Sequence, residues 1–113
     1  MFKTLWVVCA MLLAVGAQAQ DTGTLKKIRD AKSITLGYRA DSPPFSFTGP
    51  DGQPAGYSVD LCKRVAASLE RSLGGSLAIK WVAVTSANRF DQVTGGAIDV
   101  ECGITPVSLG RQE

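Results

Sequence analysis

Leu77-Ala-Ile-Lys-Trp-Val-Ala-Val84, Thr85-Ser86-Ala87-Asn88-Arg89 and Ala97-Ile-Asp-Val-Glu-Cys-Gly103 decide the reading of this chain. The first and third stretches read as strands. The second joins the end of one strand to a short helix over 88–93, which stops at Gly95-Gly96. A hydroxyl and a guanidinium three residues apart at a strand-to-helix handover suit the capture of a carboxylate. A helix start offers N–H groups and a positive dipole end, and Arg89 can add a bidentate fork. Upstream, Ile34-Thr-Leu-Gly-Tyr38 is another strand, and Arg39 follows it. Two strand-end arginines and one strand-end serine, Ser86, point to a small anionic ligand.

Working outward, Ser33–Tyr38 alternates as a strand does. A short helix precedes it over 22–31, with Thr22 or Thr24 as its cap and Leu25 and Ile28 on one face. Asp41-Ser-Pro-Pro44 reads as a loop, because two prolines forbid helix and central strand. Phe45-Ser-Phe47 and Gln53–Tyr57 flank Asp51-Gly52, a hairpin-type turn signal, so two short antiparallel arms are expected. Ser58 reads as an N-cap. Val59, Cys62, Val65, Ala66, Leu69 and Leu73 then recur at helical spacing until Gly74-Gly75. The segment 108–113 begins a further helix. Strands alternating with helices imply an α/β layered domain with a mainly parallel sheet. Ligands of such sheets bind beyond the carboxyl ends of the strands, where Arg39, Ser86, Arg89 and the 103–106 segment all fall.

The bulk properties narrow the function. The chain has 113 residues, 12 Lys and Arg against 10 Asp and Glu, a net charge of +2 and no histidine. There is no basic run to engage nucleic acid, and without histidine the His-based triads and most catalytic zinc sites are excluded. Met1-Phe2-Lys3, the apolar run 5–15 and Gly16-Ala17-Gln18-Ala19 have the layout of a secretory signal peptide cut after Ala19. The apolar run is short of the roughly 20 residues that span a bilayer. A soluble, periplasmic mature chain over 20–113 is therefore expected. Cys62 and Cys102 remain in it, either as one disulfide, as export permits, or as two small buried apolar residues.

Each residue singled out also has a plainer reading. Arg39 and Arg89 can be solvated surface arginines. Asp99 and Glu101, two apart on a strand, face the same side. As a catalytic pair they would need raised pKa values and a substrate between them, and Asp99 capping a turn or pairing locally is the simpler role. Phe45, Phe47 and Tyr57 can stack on a ligand or pack on the core. No metal-binding or cofactor motif is present.

Together these pieces resemble the N-terminal part of the periplasmic amino-acid-binding proteins of ABC transporters, solute-binding protein family 3, and within it the glutamate/aspartate branch. The resemblance rests on Leu25-Lys-Lys-Ile28, Ile34–Gly37, Arg39 with Ser42-Pro-Pro-Phe-Ser46, Gly56-Tyr-Ser-Val-Asp-Leu-Cys62, Val84–Arg89, Asp99-Val-Glu-Cys-Gly103 and Arg111-Gln112. It implies a type II periplasmic-binding-protein fold, of which residues 20–113 are the N-terminal part of lobe 1 only, with the second lobe absent. It implies that Arg39, Ser86 and Arg89 contact the carboxylates of a dicarboxylic amino acid, that Ile104, Thr105 and the segment to Pro106 serve its α-amino group and α-carboxylate, and that Arg111 binds α-carboxylate. It implies no cofactor, no enzymatic activity and delivery to an inner-membrane ABC permease. Relatives for basic amino acids can carry an acidic residue in place of Arg39, a Coulombic charge swap.

Two departures from the family pattern carry expectations. Pro106 stands where a hydroxyl residue is usual and has neither hydroxyl nor N–H, so one ligand hydrogen bond worth about 1.5–3 kcal/mol is lost. The sequence is also under half of a binding protein, which predicts affinity at best in the millimolar range and an exposed sheet edge prone to aggregation. A receptor-type module, an enzyme of the same superfamily such as a dehydratase or lytic transglycosylase, and an inactive relic are the alternative readings.

Overall fold

The computed structural model describes residues 23–111. The signal peptide expected over 1–19 lies outside them, as do Thr22, Gln112 and Glu113. Strand β1 (Ser33–Arg39) is the centre of a three-stranded sheet, flanked by β5 (Ala78–Val84) and β6 (Val100–Cys102) in the order β5-β1-β6. Both pairings are parallel. The β1–β5 ladder runs from Ser33 opposite Ala78 to Arg39 opposite Val84, and β6 enters with Tyr38 opposite Cys102. All three strands therefore end at one edge. The chain leaves β1 for β5 on one side and crosses back to β6 on the other, so β1 is the point where strand order reverses, the usual site of a ligand crevice.

Helix α1 (Thr24–Ala31) and helix α2 (Tyr57–Leu73) bury their apolar stripes against the sheet. Ile28, Ile34, Leu36, Cys62, Ala66 and Cys102 form the core, with Leu69, Leu73, Leu77, Trp81 and Val100 packed around it. The stripe is narrower than the sequence spacing predicts: Leu25 and Val65 stay substantially exposed. Alternation along β1 puts Ile34 and Leu36 in this core. Gly74, in the left-handed conformation at φ 72°, ends α2 and donates its N–H to Glu70 O. Neither helix has the side-chain cap read from the sequence. Gly23 and Gly56 occupy the N-cap positions without side-chain bonds, and Ser58 lies inside α2.

Between β1 and α2 a second small antiparallel sheet joins β2 (Asp41–Ser42), β3 (Ser46–Thr48) and β4 (Pro54–Ala55). The arms around Asp51-Gly52 pair as expected, Phe47 opposite Ala55. Asp41–Ser42 departs from the loop expected there by pairing with β3. The prolines at 43 and 44 follow this strand and so leave its hydrogen bonds intact. Helix α3 (Arg89–Thr94) leads into β6, and a 3₁₀ turn spans Leu109–Arg111. Among the described residues no helix is long and apolar enough to cross a membrane.

Two covalent and ionic ties brace the layers. Cys62 on α2 and Cys102 on β6 are joined as a disulfide across 40 residues of sequence. At the opposite end of the sheet Lys27 Nζ lies 2.9 Å from Asp99 Oδ1, while Asp99 Oδ2 accepts from Thr35 N at 2.8 Å. Asp99 thus pairs with a residue 72 positions away, not locally. Sequence proximity said nothing of α1 folding back beside the 95–99 turn.

Candidate functional site

The carboxyl edge of the parallel sheet carries the residues singled out by sequence. Arg39 is the last residue of β1 and only 8% exposed. Its N–H donates to Ser46 Oγ, a buried hydroxyl on β3, at 2.9 Å. Its guanidinium is aligned by Asp41: Nε and Nη2 lie 3.2 and 3.1 Å from the same oxygen, Oδ1. The Asp41 side chain is 74% exposed, so it fixes one side of the fork from the solvent rim, and Nη1 is the remaining terminal donor nitrogen.

Directly beside Arg39, Val84 ends β5 and Thr85–Asn88 makes the turn into α3. Thr85 Oγ1 accepts from Asn88 N at 3.1 Å, and Asn88 Oδ1 accepts from Thr85 N at 2.7 Å. This reciprocal pair is a capping-box arrangement with asparagine in the role of glutamate. Arg89 N donates to Thr85 O at 3.1 Å. The turn therefore engages the N–H groups of Thr85, Asn88 and Arg89 with its own atoms, and α3 has six residues. Ser86 is exposed. Arg89 Nε is buried with no hydrogen-bond partner among the described residues.

The third strand end supplies the 103–111 segment. Gly103 O accepts from Ser58 Oγ at 2.9 Å, so the hydroxyl read as a helix cap ties α2 to this edge instead. Thr105 Oγ1 donates to Glu101 Oε2 at 3.0 Å, and Glu101 Oε1 is buried without a partner among the described residues. Ile104 is 47% exposed. The chain then turns back so that Arg111 Nη1 donates to Pro106 O at 2.9 Å. Arg111 and Arg89 converge on one ring: their Cζ atoms lie 5.4 and 4.7 Å from the Phe90 centroid. Phe90 spreads its π-face between two cations, a role no sequence period signals.

The fold brings Arg89 and Arg111 together and sets Arg39 on the neighbouring strand end. Thr105 and Glu101 form a separate polar pair where β6 ends. From sequence, Glu101 is weighed only as a carboxylate pair with Asp99, and Asn88 has no role of its own. A Thr-x-x-Asn spacing was the available signal for Asn88, whereas nothing in the sequence marks the pairing of Glu101 with Thr105.

Three known proteins are similar to this chain. The L-glutamate/L-aspartate-binding protein of Pseudomonas aeruginosa is 40% identical over 109 residues, covering 95% of this chain and 36% of that protein. The glutamate/aspartate import solute-binding protein of Escherichia coli K12 is 32% identical over 118 residues, covering 98% of this chain and 39% of that one. The crystal structure of a point mutant of the arginine-bound domain 1 of TmArgBP superposes with a TM-score of 0.63 at 30% identity, covering 78% of this chain and 64% of that domain. The chain thus spans under two-fifths of the length of the two curated relatives. Its fold is part of a type II periplasmic-binding-protein domain. From the first core strand to Glu113, residues 34–113 match one family along the whole described sheet, and the chain belongs to the bacterial extracellular solute-binding proteins, family 3.

Proposed function

We propose that this chain is lobe 1 sequence of an exported solute-binding protein that takes up an acidic amino acid, glutamate or aspartate, and presents it to an ABC permease. One observation carries the reading: three arginines, Arg39, Arg89 and Arg111, stand at the single edge where all three parallel strands end. Asp41 offsets Arg39 from the solvent side, while Arg111 donates to a carbonyl and Arg89 leaves a buried nitrogen unpaired. A dicarboxylate supplies the missing negative charge, and guanidinium forks bind carboxylates in bidentate fashion. In this reading Arg39, Ser86 and Arg89 hold carboxylate oxygens, Arg111 approaches the α-carboxylate, and Ile104 and Thr105 border the α-amino group. The names of the two glutamate/aspartate-binding relatives support it.

Residues 1–19 serve as the export signal and 20–113 as part of one lobe. A second lobe beyond them closes the cleft, excludes water and strengthens each ionic contact. The protein binds and does not catalyse. Asp99 is committed to Lys27 and the Thr35 N–H at the far end of the sheet, so it forms no acid–base pair with Glu101.

The test is an NMR titration of the protein with glutamate, aspartate, alanine and lysine, repeated on Arg39→Ala. Glutamate and aspartate should shift resonances at 39–42, 85–90 and 103–111. Arg39→Ala should weaken them at least tenfold, the equivalent of a lost charge-assisted bond of about 1.5–3 kcal/mol. Preferential binding of alanine or lysine would sink the acidic-ligand reading.

A further inference from the structure

Glu101 has no part in the reading above, yet one of its carboxylate oxygens is buried and unsatisfied among the described residues. Its Oε1 is buried with no partner, and its Oε2 accepts from Thr105 Oγ1 at 3.0 Å. Gly103 makes room for it. A Cβ on Gly103 would overlap Glu101 Oε1 and come within 3.1 Å of Arg39 Cγ, so the carboxylate lies against the backbone of its own strand beside the Arg39 stem. An ionised carboxylate can only accept. The Thr105 hydroxyl must therefore point its proton inward at Glu101, which leaves only its lone pairs for a ligand. A threonine facing a ligand carboxylate would need the opposite orientation.

We propose that Glu101 is a positioning residue that fixes Thr105 as an acceptor and so reserves the β6 corner of the cleft for the ligand's α-ammonium. It rests on the amino-acid-cleft reading and deepens it. Glutamate and aspartate carry one strong donor group, the α-ammonium, and two acceptor-only carboxylates. With arginines on the β1 and α3 side and a polarised hydroxyl backed by a negative charge on the β6 side, the ligand has one orientation in which every group meets its complement. The cleft thereby selects amino acids over simple dicarboxylic acids.

The test compares glutamate with glutarate, which lacks only the α-ammonium, by NMR titration of the wild-type chain, Glu101→Gln and Thr105→Val. Thermal melts accompany each variant. Wild type should prefer glutamate. Both variants should lose roughly tenfold in glutamate affinity, the scale of one charge-assisted hydrogen bond, with glutarate weakened by no more than about twofold. Thr105→Val keeps every charge in place, so it separates hydroxyl orientation from a bulk charge effect and serves if Glu101→Gln fails to fold. Equal weakening of both ligands, or an unchanged preference in Thr105→Val, overturns the proposal. If wild type takes alanine or lysine in place of glutamate, the acidic reading fails alone. The same variants then decide the role of Glu101 with alanine against propionate, or lysine against 6-aminohexanoate. Binding of none of these overturns both.

Discussion

Cys62 and Cys102 are bonded to each other, fastening the second turn of helix α2 to the last residue of strand β6. The bond lies in the core, one residue before Gly103, whose carbonyl Ser58 also holds. Two independent ties therefore set where the 103–111 segment leaves the sheet.

Closing a loop of 40 residues lowers the entropy of the unfolded chain, a stabilisation of about 4 kcal/mol. The double variant Cys62→Ala/Cys102→Ala should therefore melt more than about 10 °C below wild type in a thermal scan, since each kcal/mol moves a domain of this size by roughly 4–8 °C. A difference of a degree or two would show that the unfolded chain is not constrained by the bond.

Asp41 aligns Arg39 but also places a negative charge at the mouth of the site. Its ion pair with the buried Arg39 is open to solvent at the Asp41 end, and that screening holds it to about 1 kcal/mol of folding stability. Asp41→Asn should leave the melting temperature nearly unchanged and tighten glutamate by roughly two- to fivefold through relief of like-charge repulsion. The gain should fade as salt rises. Titration at two salt concentrations checks both, and weaker binding in Asp41→Asn would instead make alignment of Arg39 the dominant effect.

The bond between Lys27 and Asp99 is lopsided, with side chains 49% and 3% exposed. Asp99→Ala strips a buried acceptor from Thr35 N and from Lys27, and should cost about 2–3 kcal/mol. Lys27→Met leaves Asp99 its bond to Thr35 N, and should cost about 1 kcal/mol. Urea denaturation of the two variants measures the difference. Equal costs would mean that the ion pair, not the backbone bond, holds α1 to the sheet.

Much of this was legible in the order of residues, because it depends on neighbours in sequence. Alternation marked β1, the apolar run before Thr85 marked β5, the 3.6-residue spacing of Val59, Cys62 and Ala66 marked α2, and Asp51-Gly52 marked the turn between β3 and β4. The α/β order then placed Arg39, Ser86, Arg89 and the 103–106 segment at strand ends, which a parallel sheet gathers on one edge. What the sequence left open involves partners far apart along the chain. Ser58 has the chemistry of a cap, and only the approach of Gly103 O turned it into a brace between α2 and β6. Asp99 looked local until α1 folded back to set Lys27 beside it. Asp41–Ser42 became a strand because β3 offered an unpaired edge. Glu101 and Thr105 are four residues apart, a spacing with no meaning in a strand. They meet because the chain turns after Gly103, where the absence of a Cβ leaves room for a carboxylate. Local periodicity is written in the sequence, whereas the pairing of polar groups across elements is decided by which surfaces the core brings into contact.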